Sequence, residues 1–137
     1  MEKCLFCRII QGEFGDILCE TQEHIVIADI NPITTGHLLV IPKYHANQLD
    51  ILPDAYLQGG LVLIKKIVLQ LGLKKYNILQ NNGHHQSVHH VHYHIIPYDE
   101  ETQEGIDINF TVSARGKESL PGVIEEYKKK LQDLLEK

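Results

Sequence analysis

The sequence predicts an α+β fold in which a mainly antiparallel sheet carries one packed helix, with a second helix at the C-terminal end. Three observations carry that expectation. Short β-rich runs lie at Ile25 to Ala28, His37 to Ile41, Tyr76 to Gln80 and His89 to Ile96. They are separated by Asn31-Pro32, Pro42-Lys43 and Asn81-Asn82-Gly83, residues whose backbone preferences favour turns. Between Asp54 and Leu73, Leu57, Leu61, Ile64, Val68 and Leu71 recur at alternating spacings of four and three, which paints one apolar stripe along a helix. From Gly116 to Lys137 a similar stripe runs through Ile124, Tyr127, Leu131 and Leu134. That helix is expected to start after Pro121 and to expose Lys128, Lys129 and Lys130.

A chain of 137 residues fits a single domain, and it can bury enough surface to need no disulfide. One domain spanning residues 1–137 is therefore expected. Thirteen Lys and Arg against eighteen Asp and Glu give a formal charge of -5, which disfavours binding to long nucleic acid through bulk electrostatics. No apolar run approaches the roughly 20 residues of a membrane helix, and Gly59 to Leu73 is interrupted by Lys65 and Lys66. Three cysteines, two of them as Cys4-x-x-Cys7, follow a start without a signal-peptide pattern. A reducing, cytoplasmic setting is expected, extending to the nucleus if the source is eukaryotic. Asp99 to Gly105 is acidic and polar and reads as a surface loop.

The chemistry is concentrated in one run. Of nine histidines, six stand between His84 and His94. Side chains alternate faces along a strand, so His90, His92 and His94 point one way while Val91, Tyr93 and Ile95 point the other. Same-face neighbours are roughly 6.5 to 7 Å apart, so one imidazole can attack while others contact a phosphate or hold something else. An internal tag is a poor explanation, because the apolar interleaving marks a half-buried strand. An unprotonated imidazole is available near neutral pH, with a free pKa of roughly 6.5, and can attack phosphorus. Its other nitrogen must then keep the proton, held by an acceptor such as a backbone carbonyl.

The stretch Gln86-Ser87-Val88-His89-His90-Val91-His92-Tyr93-His94-Ile95-Ile96 resembles the signature of the histidine triad family, His-φ-His-φ-His-φ-φ preceded by Gln-Ser-Val. CLFCRIIQGE, ADINPITTGHLLVIPKYH and ILQNNG resemble further family blocks in the expected order, whereas the last thirty or so residues carry no such signal. The resemblance implies a hydrolase of nucleoside 5′-phosphoramidates or related AMP conjugates that works through a covalent nucleotidyl-histidine. It implies His92 as nucleophile on the α-phosphorus, with His94 and Ser87 contacting phosphate oxygens or the leaving group. It further implies nucleotide contacts from Asp29, through the ribose hydroxyls, and from Ile30, His37, Asn81 and Gln86. The partner is expected to be a purine nucleotide or nucleotide conjugate, and the assembly a homodimer with a continuous sheet. The Asn81–Gln86 loop is shorter than in many members, and His85 stands where they carry glycine. That glycine lets a backbone N–H approach phosphate closely, so altered phosphate contacts are expected here.

Cys4-x-x-Cys7 alone supplies half of a tetrahedral site, and it could equally be a redox pair or two small buried residues. In zinc-carrying branches of the family the remaining ligands correspond to His45 and His90, so the resemblance implies a closed structural zinc site of Cys4, Cys7, His45 and His90. Cys19 reads as a small buried residue. Three rival readings remain: a diadenosine polyphosphate hydrolase using the same His92 chemistry, a non-catalytic nucleotide-binding interaction module, and a metal-buffering protein drawing on His84, His85 and His89. The Val91-Tyr93-Ile95 interleaving argues against the last. Nucleotidyl transfer is disfavoured because His94 stands where the transferase relatives carry glutamine.

Overall fold

A computed structural model describes residues 4–136 of the chain. The chain forms two compact units, Met1–Ile106 and Asp107–Lys137. The first holds α1 (Leu5–Ile10), β1 (Ile17–Glu20), β2 (His24–Ala28), β3 (Leu38–Pro42), α2 (Asp54–Leu57), α3 (Gly60–Leu71), β4 (Tyr76–Leu79) and β5 (Tyr93–Pro97). The second holds α4 (Ala114–Leu131).

The five strands form one sheet in the order β1-β2-β3-β5-β4, with every pairing antiparallel. The last strand in sequence therefore lies inside the sheet, between β3 and β4. Leu39 and Leu79 flank His94 in register, one from each side. Period-two alternation then builds two apolar layers. Val26, Val40, Val91, Tyr93 and Ile95 join Ile64 and Val68 of α3 on one face. Ile25, Ile27, Leu39 and Ile41 join Phe6 and Ile9 of α1 on the other. Burial of side chains of this size stabilises by about 1.5–3 kcal/mol each relative to exposure, so each helix is anchored by only a few residues.

Several sequence expectations shift. The helix expected between Asp54 and Leu73 is divided into α2 and α3 at Gln58 and Gly59. Its buried face is Gly60, Ile64 and Val68, whereas Leu61 and Leu71 are 63% and 56% exposed. Gly60 decides this rotation, because His24 and Tyr93 lie 3.6 Å from where its Cβ would stand and the helix approaches the sheet there. Gly72 ends α3 in the left-handed conformation at φ 67°, with its N–H bonded to the Leu69 carbonyl and that of Leu73 to Val68, a glycine-favoured helix stop. The strand expected over His89–Ile96 is regular only from Tyr93. Cys19, expected to be buried, is exposed because β1 is an edge strand with only its first residue half-covered. The C-terminal helix begins at Ala114, capped by Ser113 Oγ accepting from Gly116 N–H, and runs through Pro121 instead of starting after it. Ile124, Tyr127, Leu131 and Leu134 are exposed.

Candidate active site and metal-ligand cluster

The α1 face of the sheet carries the even-numbered histidines. His90 and His92 are buried, and Val91 and Tyr93 are buried on the opposite face, so the alternation inferred from sequence holds even before β5 becomes regular. Between α1 and this face lies a cavity of about 480 Å³ whose lining includes Phe6, Ile9, Phe14, Ile27, Leu39, Asp29, Ile30, Ser87, His92 and His94. One wall is apolar and the other carries the polar chemistry. That division suits a ligand with a flat apolar part and an anionic part.

Backbone partners fix the proton positions of the histidines. His92 Nδ1 lies 2.7 Å from the His90 carbonyl. A carbonyl only accepts, so Nδ1 carries the hydrogen and Nε2 keeps its lone pair. No other hydrogen bond among the described residues engages this ring. Burial lowers the His92 pKa below the usual 6.5, opposed by the bond to His90 and by the Asp29 charge, so His92 is neutral at pH 7. Phe6 packs edge-on to its ring at 4.9 Å.

The same logic orders His94. Ile33 N–H donates to His37 Nδ1 at 3.1 Å, so the single proton of neutral His37 sits on Nε2. That N–H faces His94 Nδ1 at 2.9 Å and lies 3.6 Å from Asp29 Oδ2. His94 therefore accepts at Nδ1 and holds its proton on Nε2, as a donor. Burial, then the neighbouring His92 and His37, push its pKa down to about 4. Burial also lowers that of His37, with Asp29 opposing. Asp29 additionally makes the turn that its position before Asn31-Pro32 foreshadows: Oδ1 accepts from Asn31 N–H at 2.8 Å.

Asp29, Ile30, Ser87, His92 and His94 thus line one cavity, and His37 stands behind His94. Asn81 and Gln86 are not among the lining residues. Gln86 spends its side chain on the loop instead, with Oε1 accepting from Gly83 N–H at 2.9 Å and Nε2 donating to the Asn47 carbonyl at 2.6 Å. His85, where glycine was expected, has φ 55°, a left-handed conformation that glycine adopts without cost. Sequence reasoning missed the apolar wall of Leu5, Phe6, Ile9, Phe14 and Leu18, since such residues carry no chemical signature. The spacing of Leu5, Phe6, Ile9 and Ile10 along one side of a short helix was the available signal.

At the other end of the triad, Cys4 Sγ, Cys7 Sγ, His45 Nδ1 and His90 Nδ1 lie within 4.8 Å of one another. Separations of 3.4 Å for Cys4–His90, 3.3 Å for Cys7–His45 and 3.2 Å for His45–His90 match the edges, about 3.3 to 3.8 Å, of a tetrahedron with metal–S of about 2.3 Å and metal–N of about 2.0 Å. His90 Nε2–H donates to the Pro42 carbonyl at 2.8 Å, which turns the Nδ1 lone pair toward the thiols, the usual orientation of a metal-ligating histidine. Burial, followed by Cys4, raises the Cys7 pKa to about 11, while burial lowers that of His90 to about 4. Cys4 also caps α1, accepting from Cys7 N–H at 3.5 Å, so the helix start itself brings the two sulfurs together.

Comparison with known proteins agrees with this geometry. The HIT domain matches residues 14–101. The chain is 38% identical over 139 residues to adenosine 5′-monophosphoramidase HNT1 of Candida albicans, covering 93% of this chain and 91% of that protein. It is 38% identical over 132 residues to adenosine 5′-monophosphoramidase hnt1 of Schizosaccharomyces pombe, covering 94% and 98%. Among solved structures, the histidine triad nucleotide-binding protein from Candida albicans superposes with a TM-score of 0.84 at 36% identity, over 96% of this chain and 99% of that one. A zinc-bound histidine triad family protein from Mycobacterium smegmatis superposes with a TM-score of 0.68 at 29% identity, over 80% and 85%. A five-stranded antiparallel sheet carrying a histidine triad beside a half-apolar cavity is the architecture of the histidine triad class. The chain belongs to the HIT family.

Proposed function

We propose that this protein hydrolyses adenosine 5′-phosphoramidates and related AMP conjugates through a covalent intermediate on His92. The observation that carries the reading is the fixed tautomer of a neutral His92: its Nδ1 proton is held by the His90 carbonyl and the ring lines the cavity. Attack of Nε2 on the α-phosphorus forms an N–P bond and breaks the bond to the leaving group, which departs with a proton taken up from solvent water. Water then cleaves the His92–phosphorus bond and releases AMP. His94, as an Nε2–H donor, and Ser87 face the charge that grows on the phosphoryl oxygens. Asp29 accepts from the ribose hydroxyls, and Ile30 and the α1 wall receive the base, whereas Asn81, two residues beyond β4, stands outside the cavity lining. The relatives named as adenosine 5′-monophosphoramidases support the substrate class.

Zinc belongs to the same proposal, held by Cys4, Cys7, His45 and His90. When bound it supplies a closed four-way crosslink with no open position. The residues themselves join α1 to the chain just before β5, which places the apolar wall against the catalytic strand. Metal analysis of purified protein tests this, with one zinc per chain expected.

A homodimer completes the reading. Leu61, Val62, Leu69 and Leu71 on α3, together with Tyr76 and Ile78 on edge strand β4, are exposed apolar residues, and such a patch on a free sheet edge favours pairing with a second copy. We further propose that residues 1–137 act as one HIT domain in the cytoplasm; among the described residues no helix is long and apolar enough to cross a membrane.

The deciding experiment is intact-protein mass spectrometry of wild type and His92→Gly after brief mixing with adenosine phosphoramidate and alkaline quench. One added AMP on wild type alone is the expected result. Absence of both the adduct and released AMP would overturn the hydrolase reading.

A further inference from the structure

The segment after β3 runs beside the segment before β5, and the two are joined at successive points. His45 meets His90 at 3.2 Å, and the Ala46 carbonyl accepts from Val91 N–H at 2.8 Å. The Asn47 carbonyl accepts from Gln86 Nε2 at 2.6 Å, and Leu49 N–H donates to Asn82 Oδ1 at 2.8 Å. Beyond the first two joints no β-ladder continues among the described residues, and side-chain amides make the hydrogen bonds that tie residues 81–87 to residues 47–49. Asn82 ties Leu49 N–H to the Gln80 amide, and Gln86 bonds backbone at both ends of its amide, to Gly83 N–H within the loop and to the Asn47 carbonyl across from it. Gly83 is part of the fit: at φ 76° a Cβ there would stand 3.2 Å from Gln48 Oε1.

Ser87 follows Gln86 directly and lines the cavity, whereas Gln86 does not. We infer that Gln86 is a positioning residue, a latch that clasps the 81–87 loop to Asn47 and so sets Ser87 against the phosphoryl group. The inference rests on the reading of Ser87 as a phosphate-facing donor. It also separates Gln86 from the substrate, because its side chain is turned to Gly83 and Asn47 and does not line the cavity. A displacement of about 1 Å at a reacting group can cost on the order of 100-fold in rate, so a latch remote from phosphorus has ample leverage on turnover.

Two measurements on Gln86→Ala and Gln86→Glu test this. Gln86→Glu keeps the acceptor toward Gly83 but presents no donor to the Asn47 carbonyl at neutral pH. In hydrogen exchange of nucleotide-free protein, amides of residues 82–87 are expected to exchange at least about ten-fold faster in both variants, while those of β2 and β3 stay unchanged. In rapid mixing with adenosine phosphoramidate, the rate of His92 adduct formation is expected to fall about 10- to 100-fold, with AMP affinity held within about three-fold because the apolar wall is intact. Unchanged loop exchange with weakened AMP binding would make Gln86 a direct substrate contact and overturn the latch. Faster exchange across the whole sheet, or wild-type behaviour in Gln86→Glu, would overturn it as well. Faster loop exchange in variants of a wild type that never turns over leaves the latch standing and removes the hydrolase reading instead.

Discussion

At the scale of single residues, three backbone bonds determine what the imidazoles do. The carbonyls of His90 and Pro42 each accept a hydrogen bond from a ring N–H, and the amide of Ile33 donates one to a ring nitrogen, so His92, His90 and His37 are each held in one tautomer. His92→Ala is expected to lower turnover by more than about 10⁴-fold, as loss of a covalent nucleophile does, with Tm unchanged within a degree or two; a residual rate near wild type would remove His92 from the nucleophile's role. The pH dependence follows from burial. His24, His37, His92 and His94 all have pKa values below 6.5 in the folded chain. In the window below 6.5 the unfolded chain therefore binds more protons, and stability falls as pH falls toward the folded values, reaching about 4 for His94. His24 contributes through desolvation, with Nε2 buried and unpartnered. Thermal melts at pH 7.5, 6.0 and 5.0 should show a falling Tm, and a smaller fall in His24→Phe. A Tm that stays flat down to pH 5 would show that these rings are not buried neutral.

At the scale of elements, α1 is a helix of only 6 residues, and it walls the cavity with Phe6 and Ile9 while its cap and first turn supply Cys4 and Cys7. Cys4→Ala is expected to release bound metal, to lower Tm and to weaken AMP binding, since the wall then lacks its crosslink. His92 adduct formation should persist at saturating substrate. Complete loss of the adduct would mean that the cluster serves chemistry directly. In the loop before the triad, His85 holds φ 55°, which costs a non-glycine residue about 1 kcal/mol or more. His85→Gly is expected to stabilise by up to about 1 kcal/mol in urea unfolding, and a destabilised variant would show that the imidazole, packed edge-on at 4.1 Å against His84, holds the loop.

For the whole molecule, the proposed dimer uses the unburied face of α3 and the free edge of β4. Leu69, 70% exposed, sits on that face, and Leu69→Glu is expected to shift sedimentation from dimer to monomer while leaving the far-UV spectrum intact. A wild type that sediments as a monomer at micromolar concentration would end the dimer reading.

Much of this was legible in the chain itself. The period of the histidine run identified which three rings share a face, because alternation in an extended backbone needs no tertiary information. Turn residues located β2, β3 and β4 to within a residue or so, and the triad signature identified the family. The helix between Asp54 and Leu73 was legible in extent but not in rotation. Leu61 and Leu71 fit the apolar period as well as Ile64 and Val68, and only the contact of Gly60 with His24 and Tyr93 selects the buried face. Cys19 looked buried because apolar neighbours surround it in sequence, yet position at a sheet edge is a property of strand order. The sequence by itself determined the family, the histidine run that faces the cavity and the four Cys and His residues that cluster beside it. Only the tertiary structure decided which nitrogen of each ring is free, which wall receives the ligand and that Gln86 holds the loop, because those depend on backbone groups remote in sequence whose identity no side chain records.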